Sequence, residues 1–163
     1  MDLYCLDSNF FIKPWHDYYP PDFCGQYWEV LCEIFALGQA FIPQAVLDEI
    51  LKVDDDLTLW LVEESGIAVE SINENVTKCL SQIYEFDESH HRLVDSIKQR
   101  SLADPWVIAH AMAAGATVVT KEAPSDSITK RIKIPDVCNN MGIRCVNDFD
   151  FIREVGIAFS CSV

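Results

Sequence analysis

Short apolar runs alternate along this chain with longer stretches of helical period, and that alternation leaves few folds open. Residues 3–6, 40–42, 67–69, 116–120 and 143–146 read as strands. Between them, helical spacing covers 27–37, a segment opened by Pro43 with Val46, Ile50 and Val53 on one face, and a segment from Asp54-Asp55-Asp56 to Gly66. Further helices are expected over 73–86, 90–100, 104–114, 135–141 and 148–155. Gly38 and Gly115 stand where helices stop, because glycine takes the left-handed backbone there at no steric cost. Strands separated by helices are joined by crossovers, so the sheet must be parallel and covered on both faces. The expected fold is α/β, a three-layer α/β/α sandwich with a short, mostly parallel central sheet. No repeat, low-complexity stretch or Gly/Ser linker interrupts it, which makes 1–163 a single expected domain.

Charge restricts function. The chain carries 12 Lys and Arg against 26 Asp and Glu, a net charge of −14. A surface so acidic cannot coat nucleic acid or anionic lipid as a whole, so any polyanion must be held locally. Six of the 12 basic residues fall within 98–133, which makes that segment +3 and the remainder −17. No apolar run approaches the roughly 20 residues needed to cross a membrane. The seven cysteines are odd in number and contain no C-x-x-C pair, which suggests neither a disulfide framework nor a zinc site. With no secretory signal at Met1-Asp2-Leu3-Tyr4-Cys5, the expected location is a reducing cytoplasm. No Gly-rich phosphate cradle or nucleophile elbow is present, which disfavours nucleotide-dependent and serine-hydrolase chemistry.

Parallel α/β sheets collect functional residues at the C-terminal ends of their strands. Asp7 follows the first strand, Asp104 opens a helix, Glu122 follows the 116–120 strand, and Glu49 lies on the helix after the second strand. Convergent carboxylates of this kind bind hard divalent cations through oxygen. Each also has a plainer reading. Asp104 before Pro105 suits a helix N-cap, Glu49 a solvated helix face, and Glu122 an ion pair with Lys121. Asp7 is harder to explain structurally, since a carboxylate directly after a buried strand is costly if unpaired.

Four segments in order now carry a resemblance: Tyr4-Cys5-Leu6-Asp7-Ser8-Asn9-Phe10-Phe11-Ile12, Val46-Leu47-Asp48-Glu49-Ile50, Ala103-Asp104-Pro105-Trp106-Val107-Ile108-Ala109, and Gly115-Ala116-Thr117-Val118-Val119-Thr120-Lys121-Glu122. The chain resembles a PIN-like nuclease domain. Tyr18-Tyr19-Pro20 followed by Trp28, and Ile134-Pro135-Asp136-Val137-Cys138, are similar to signatures of an uncharacterised bacterial PIN-like family. The resemblance implies a Mg²⁺- or Mn²⁺-dependent endoribonuclease leaving 5′-phosphate and 3′-hydroxyl ends. It implies metal ligation by Asp7, Glu49 and Asp104, with Asn9 and Thr120 in support. PIN domains usually show Thr-Asn-Asp after the fourth strand, whereas this chain has Thr120-Lys121-Glu122. Glu122 is therefore the expected fourth acid, with Asp126 and Asp136 as substitutes. The implied partners are RNA, a protein antitoxin of a toxin–antitoxin pair, and a second copy of the chain in a homodimer.

The basic segment supplies Lys121, Lys130, Arg131 and Lys133 as expected RNA contacts, a solvated loop being the alternative. Trp15, Tyr18, Tyr19 and Trp28 suit either a base-stacking platform or ordinary aromatic packing. His90-His91 with Cys79 lacks metal spacing, and His110 reads as core or helix surface. Two functions compete with the nuclease: a PIN-like interaction module without catalysis, and a metal-dependent phosphatase of small substrates.

Overall fold

A computed structural model describes residues 1–126 and 131–163 of the chain. Its five strands are β1 (Tyr4–Leu6), β2 (Ala40–Pro43), β3 (Ala68–Glu70), β4 (Thr117–Val119) and β5 (Cys145–Val146). They form one sheet in the order β3-β2-β1-β4-β5, and every pairing within it is parallel. The helices are α1 (Asn9–Lys13), α2 (Pro21–Ala36), α3 (Gln44–Ile50), α4 (Asp56–Glu63), α5 (Glu74–Phe86), α6 (Asp104–Ala114), α7 (Ile134–Met141) and α8 (Asp148–Glu154). The expected three-layer α/β/α architecture is present, with a sheet that is parallel throughout.

Both faces of β1 are buried, and its alternate residues reach different layers. The Tyr4 ring meets Phe151 of α8 edge-on at 4.9 Å, and Phe151 meets Phe10 of α1 at 5.1 Å. This aromatic layer continues through Phe11 to Phe35 of α2 and Trp60 of α4. Cys5 points the other way, its Sγ 3.5 Å from the Val107 carbonyl of α6. Helix α6 is buried almost all round because small residues such as Ala109 and Ala111 let it lie between the sheet and α5. Among the described residues no helix is long and apolar enough to cross a membrane.

Local chemistry sets the helix ends. The side chains of Asp55, Asn73 and Asn147 accept the backbone N–H groups of Thr58, Val76 and Asp150 at 3.1, 2.9 and 2.8 Å, satisfying donors that a helix start leaves unpaired. Gly115 ends α6 at φ +64°, where a Cβ would be strained.

The structure corrects the helix expected over 90–100. A 3₁₀ turn, Glu88–Leu93, is followed by a loop that Asp95 and Arg100 close by exchanging backbone hydrogen bonds of 3.1 and 3.0 Å. His90 is drawn fully into the core, its Nδ1 2.7 Å from the Ile83 carbonyl and its Nε2 3.0 Å from Asn140, which interrupts helical continuation. The Asp95 side chain then accepts the Lys98 N–H at 3.0 Å, a local bond that competes with helix. Helix α2 begins at Pro21 rather than Tyr27. Ahead of it, Trp15 packs edge-on to Trp28 at 4.7 Å, and the Trp28 indole donates to the Tyr19 carbonyl at 2.7 Å. Those aromatics pack on one another instead of presenting a stacking platform.

Candidate active site

From β1 the chain moves outward to β2 and β3, then returns through α6 to β4 on the other side of β1. A sheet that reverses its order in this way opens a crevice beyond the C-terminal ends of the two strands at the reversal. Asp7 directly follows β1 and Thr120 directly follows β4, so both stand at that crevice. The Thr120 hydroxyl donates to Asp7 Oδ2 at 2.9 Å, and Asp7 Oδ1 accepts the Ser8 N–H at 2.8 Å. Asn9 ties the strand ends together: its Nδ2 donates to Thr120 Oγ1 at 3.1 Å and its Oδ1 accepts the Lys121 N–H at 2.9 Å.

Asp104 is the first residue of α6 and only 7% exposed, and the N-cap position is taken by Ala103, whose side chain cannot cap. The plain N-cap reading of Asp104 therefore does not describe its carboxylate. Glu49 sits on α3, the helix that follows β2, and its Oε2 is buried without a hydrogen-bond partner among the described residues. Glu122 Oε2 accepts the Ile134 N–H at 3.1 Å, which ties this acid to the start of α7. Of the two substitutes, Asp136 is spent on structure: it accepts from the Ser125 hydroxyl at 2.7 Å and from the Lys133 N–H at 2.9 Å. Asp126 is exposed.

The charges of Glu49 and Glu122 bear on both Asp7 and Asp104. Burial pushes the Asp7 carboxyl up to about 7, the Thr120 and Ser8 hydrogen bonds oppose that rise, and the charges of Glu122 and Glu49 add to it. Burial likewise pushes Asp104 up to about 9, reinforced by Asp7, Glu122 and Glu49 and opposed by Arg131. Buried oxygens that repel one another suit a hard cation. Among the described residues no three His, Cys, Asp or Glu side chains are gathered into a ready-made ion shell. A magnesium-type ion takes only one or two direct carboxylates and keeps several waters, so the donor set still fits it.

These raised values make the metal-free protein sensitive to pH. The unfolded carboxyls titrate near about 4, below their folded values, so the native state holds more protons as pH climbs from there towards about 9. Stability is therefore present in full below pH ~4 as far as these two groups are concerned, and falls as pH rises through that window. Urea unfolding of the chelator-treated protein checks this: the midpoint should drop between pH 6 and pH 9, and the drop should shrink in Asp104→Asn. A midpoint that rises over that interval would contradict the coupled-acid geometry.

The basic residues divide. Lys121 pairs with buried Asp148 at 2.8 Å, and its ammonium lies 4.6 Å from the centre of the Tyr18 ring. Its partner is thus Asp148 and not Glu122. Removing Lys121 leaves a buried carboxylate unpaired, partly offset by the N-terminus of α8. Lys121→Met is expected to cost about 2 kcal/mol in a chemical denaturation curve, and an unchanged midpoint would show the pair to be dispensable. Arg131 donates to the Ser101 hydroxyl and acts on Asp104, which places it beside the acids. Lys133 is half-buried at the start of α7, and Lys130 lies outside the described residues.

Sequence reasoning missed the other wall of the site. A cavity of about 590 Å³ between α3 and the segment before α6 is lined by Glu49, Lys52, Arg100, Ala103 and Trp106. Arg100 was visible as part of the basic segment, whereas nothing in the spacing of Lys52 or Trp106 marks either of them as facing the acids.

A family described as "Domain of unknown function (DUF4411)" matches residues 4–159. No curated protein matches the sequence. Solved structures do match. FitAcB from Neisseria gonorrhoeae is 16% identical with a TM-score of 0.57, over 90% of this chain and 99% of that one. VapBC2 from Rickettsia felis, solved bound to a DNA fragment from its promoter, is 18% identical with a TM-score of 0.55, over 89% and 98%. VapBC-1 from nontypeable Haemophilus influenzae is 13% identical with a TM-score of 0.57, over 90% and 98%. At such identities the likeness is one of fold.

Proposed function

The chain belongs to the DUF4411 family and has a PIN-like fold, and from that footing we propose that it is a metal-dependent endoribonuclease. What supports this reading is the buried carboxylate of Asp7 at the crevice between β1 and β4, with buried Asp104 at the start of α6, and with the charges of Glu49 and Glu122 bearing on both. Asp7 and Asp104 are the residues that would hold Mg²⁺ or Mn²⁺, with Glu49 and Glu122 beside them. When bound there, such an ion supplies Lewis-acid polarisation of a phosphoryl oxygen and activation of water.

The chain's own groups do the remaining work. Thr120 and Ser8 fix the Asp7 carboxylate, and Asn9 holds the two strand ends at a constant separation. Glu49 Oε2, a buried oxygen without a hydrogen-bond partner among the described residues, is open to a ligand. Arg131 is the cation placed to face a phosphate at Asp104. Because protons and cations compete for Asp7 and Asp104, metal uptake should release protons and tighten as pH rises.

The reading extends to a toxin of a toxin–antitoxin pair, acting in the cytoplasm, held inactive by a protein antitoxin and working as a homodimer. One observation favours a second reading, an interaction module without catalysis: the Glu122 carboxylate is partly occupied by the Ile134 N–H. Incubating end-labelled single-stranded RNA with Mn²⁺ separates the two. The nuclease cuts internally, leaves 5′-phosphate and 3′-hydroxyl ends, and loses activity in EDTA. Intact RNA in Mn²⁺ across pH 6 to 9 would sink the nuclease and leave the module.

A further inference from the structure

The cavity beside the acids has chemistry that the acidic site does not use. Its floor includes Trp106, two residues beyond Asp104 on α6, and Glu49 and Ala103 join it directly to the acids. Lys52, just past the end of α3, and Arg100, at the close of the 95–100 loop, line it from two elements. Among the described residues neither cation forms an ion pair. Asp48 also lines the cavity, with its carboxylate accepting from Gln44 at 2.9 Å. The wall that carries Arg100 is held in place. Gln99 and Ser101 on either side of it take left-handed φ values of 53° and 58°, which side chains other than glycine adopt at a cost, and Arg131 anchors Ser101.

A protein with a net charge of −14 spends few basic residues, and here two that form no ion pair among the described residues line a cavity together with Trp106 and with Glu49, one of the four acids. Aromatic faces accept bases of any sequence, and Lys and Arg beside them accept the phosphates on either side. At about 590 Å³ the cavity is in the size range of small-ligand sites, roughly 300–1,000 Å³. We propose that this cavity is a subsite for one nucleotide of single-stranded RNA, with its base against the Trp106 indole and its flanking phosphates on Lys52 and Arg100. The subsite rests on the nuclease reading, since it names where the substrate strand lies relative to the acids. It places the strand across α3 and the start of α6.

Binding, measured apart from cleavage, tests the subsite. Fluorescence anisotropy uses a short fluorescein-labelled oligouridine and an abasic strand of equal length, with the Asp7→Asn protein in EDTA. Lys52→Gln and Arg100→Gln should each weaken both probes and lower the salt slope by about 0.7 per lost phosphate contact. Trp106→Leu should weaken oligouridine by about tenfold and leave the abasic strand unchanged, because only the stacked base is lost. Trp106→Phe keeps an aromatic face and should bind close to the parent. Lys78→Gln on α5, which removes the same charge elsewhere, should change nothing. If oligouridine binds but Lys52→Gln, Arg100→Gln and Trp106→Leu bind like the parent, the subsite is wrong while the nuclease reading stands. Equal losses in Trp106→Phe and Trp106→Leu, or on both probes, overturn the stacking assignment. A parent chain that neither binds oligouridine nor cuts RNA in Mn²⁺ overturns the subsite and the nuclease reading together.

Discussion

Asp7→Asn is expected to abolish metal-dependent RNA cleavage while making the metal-free protein harder to unfold. Asp7 is 3% exposed, feels the charges of Glu122 and Glu49, and among the described residues forms no ion pair. Its ionised form is tolerated through two hydrogen bonds, of which an asparagine keeps the one from the Ser8 N–H on its Oδ1. The substitution thus removes a charge from a crowded site without leaving a cavity. At pH 8 that should raise stability by about 1–3 kcal/mol, or several degrees of melting temperature in a chain of this size. Activity should fall by more than about 100-fold, since removing groups that merely orient a metal ligand already costs roughly 10–100-fold. Melting curves and cleavage rates measured side by side decide it. A large loss of stability in Asp7→Asn would make the carboxylate a structural element and remove the functional assignment.

Phe151→Ala should produce the largest loss of stability, about 3–5 kcal/mol and on the order of 10 °C in melting temperature. Phe151 is fully buried, and its ring makes edge-to-face contacts with Tyr4 at 4.9 Å and Phe10 at 5.1 Å. These contacts join α8 to β1, which Asp7 directly follows, and to α1, which begins at Asn9. The cavity left behind would therefore loosen the crevice as well as the core. Differential scanning calorimetry gives the stability change, and a melting temperature within a degree or two of the parent would show that the aromatic layer does not secure this end of the sheet.

The pattern of strands and helices was legible because both signals are local. Tyr4–Leu6 and Thr117–Val119 are short runs buried on both faces, and only a parallel sheet clothed by helices accommodates them. Gly115 and Asp55 likewise announce helix ends through their own chemistry. The 90–100 segment misled because its helical spacing is overridden by a contact distant in sequence, from His90 to Asn140 on α7. The ion pair of Lys121 with Asp148 was not legible locally, because its partner comes 27 residues later, whereas Glu122 is its neighbour along the chain. Asp7 after β1 and Asp104 at the start of α6 were legible as positions along the chain, whereas which acids act on one another depends on the order of strands in the sheet, which no local spacing encodes. The groove of Lys52, Arg100 and Trp106 escaped notice for the same reason: two segments far apart in sequence, 45–52 and 99–106, build it.

The central claim is that Asp7 and Asp104, with Glu49 and Glu122 beside them, hold a divalent cation at the crevice between β1 and β4. Anomalous diffraction at the manganese edge from crystals grown with Mn²⁺ tests it most directly. The account predicts a peak between the Asp7 and Asp104 carboxylates that vanishes in Asp7→Asn crystals grown in the same way. Manganese found only at other surface carboxylates, with none between these two, would contradict it.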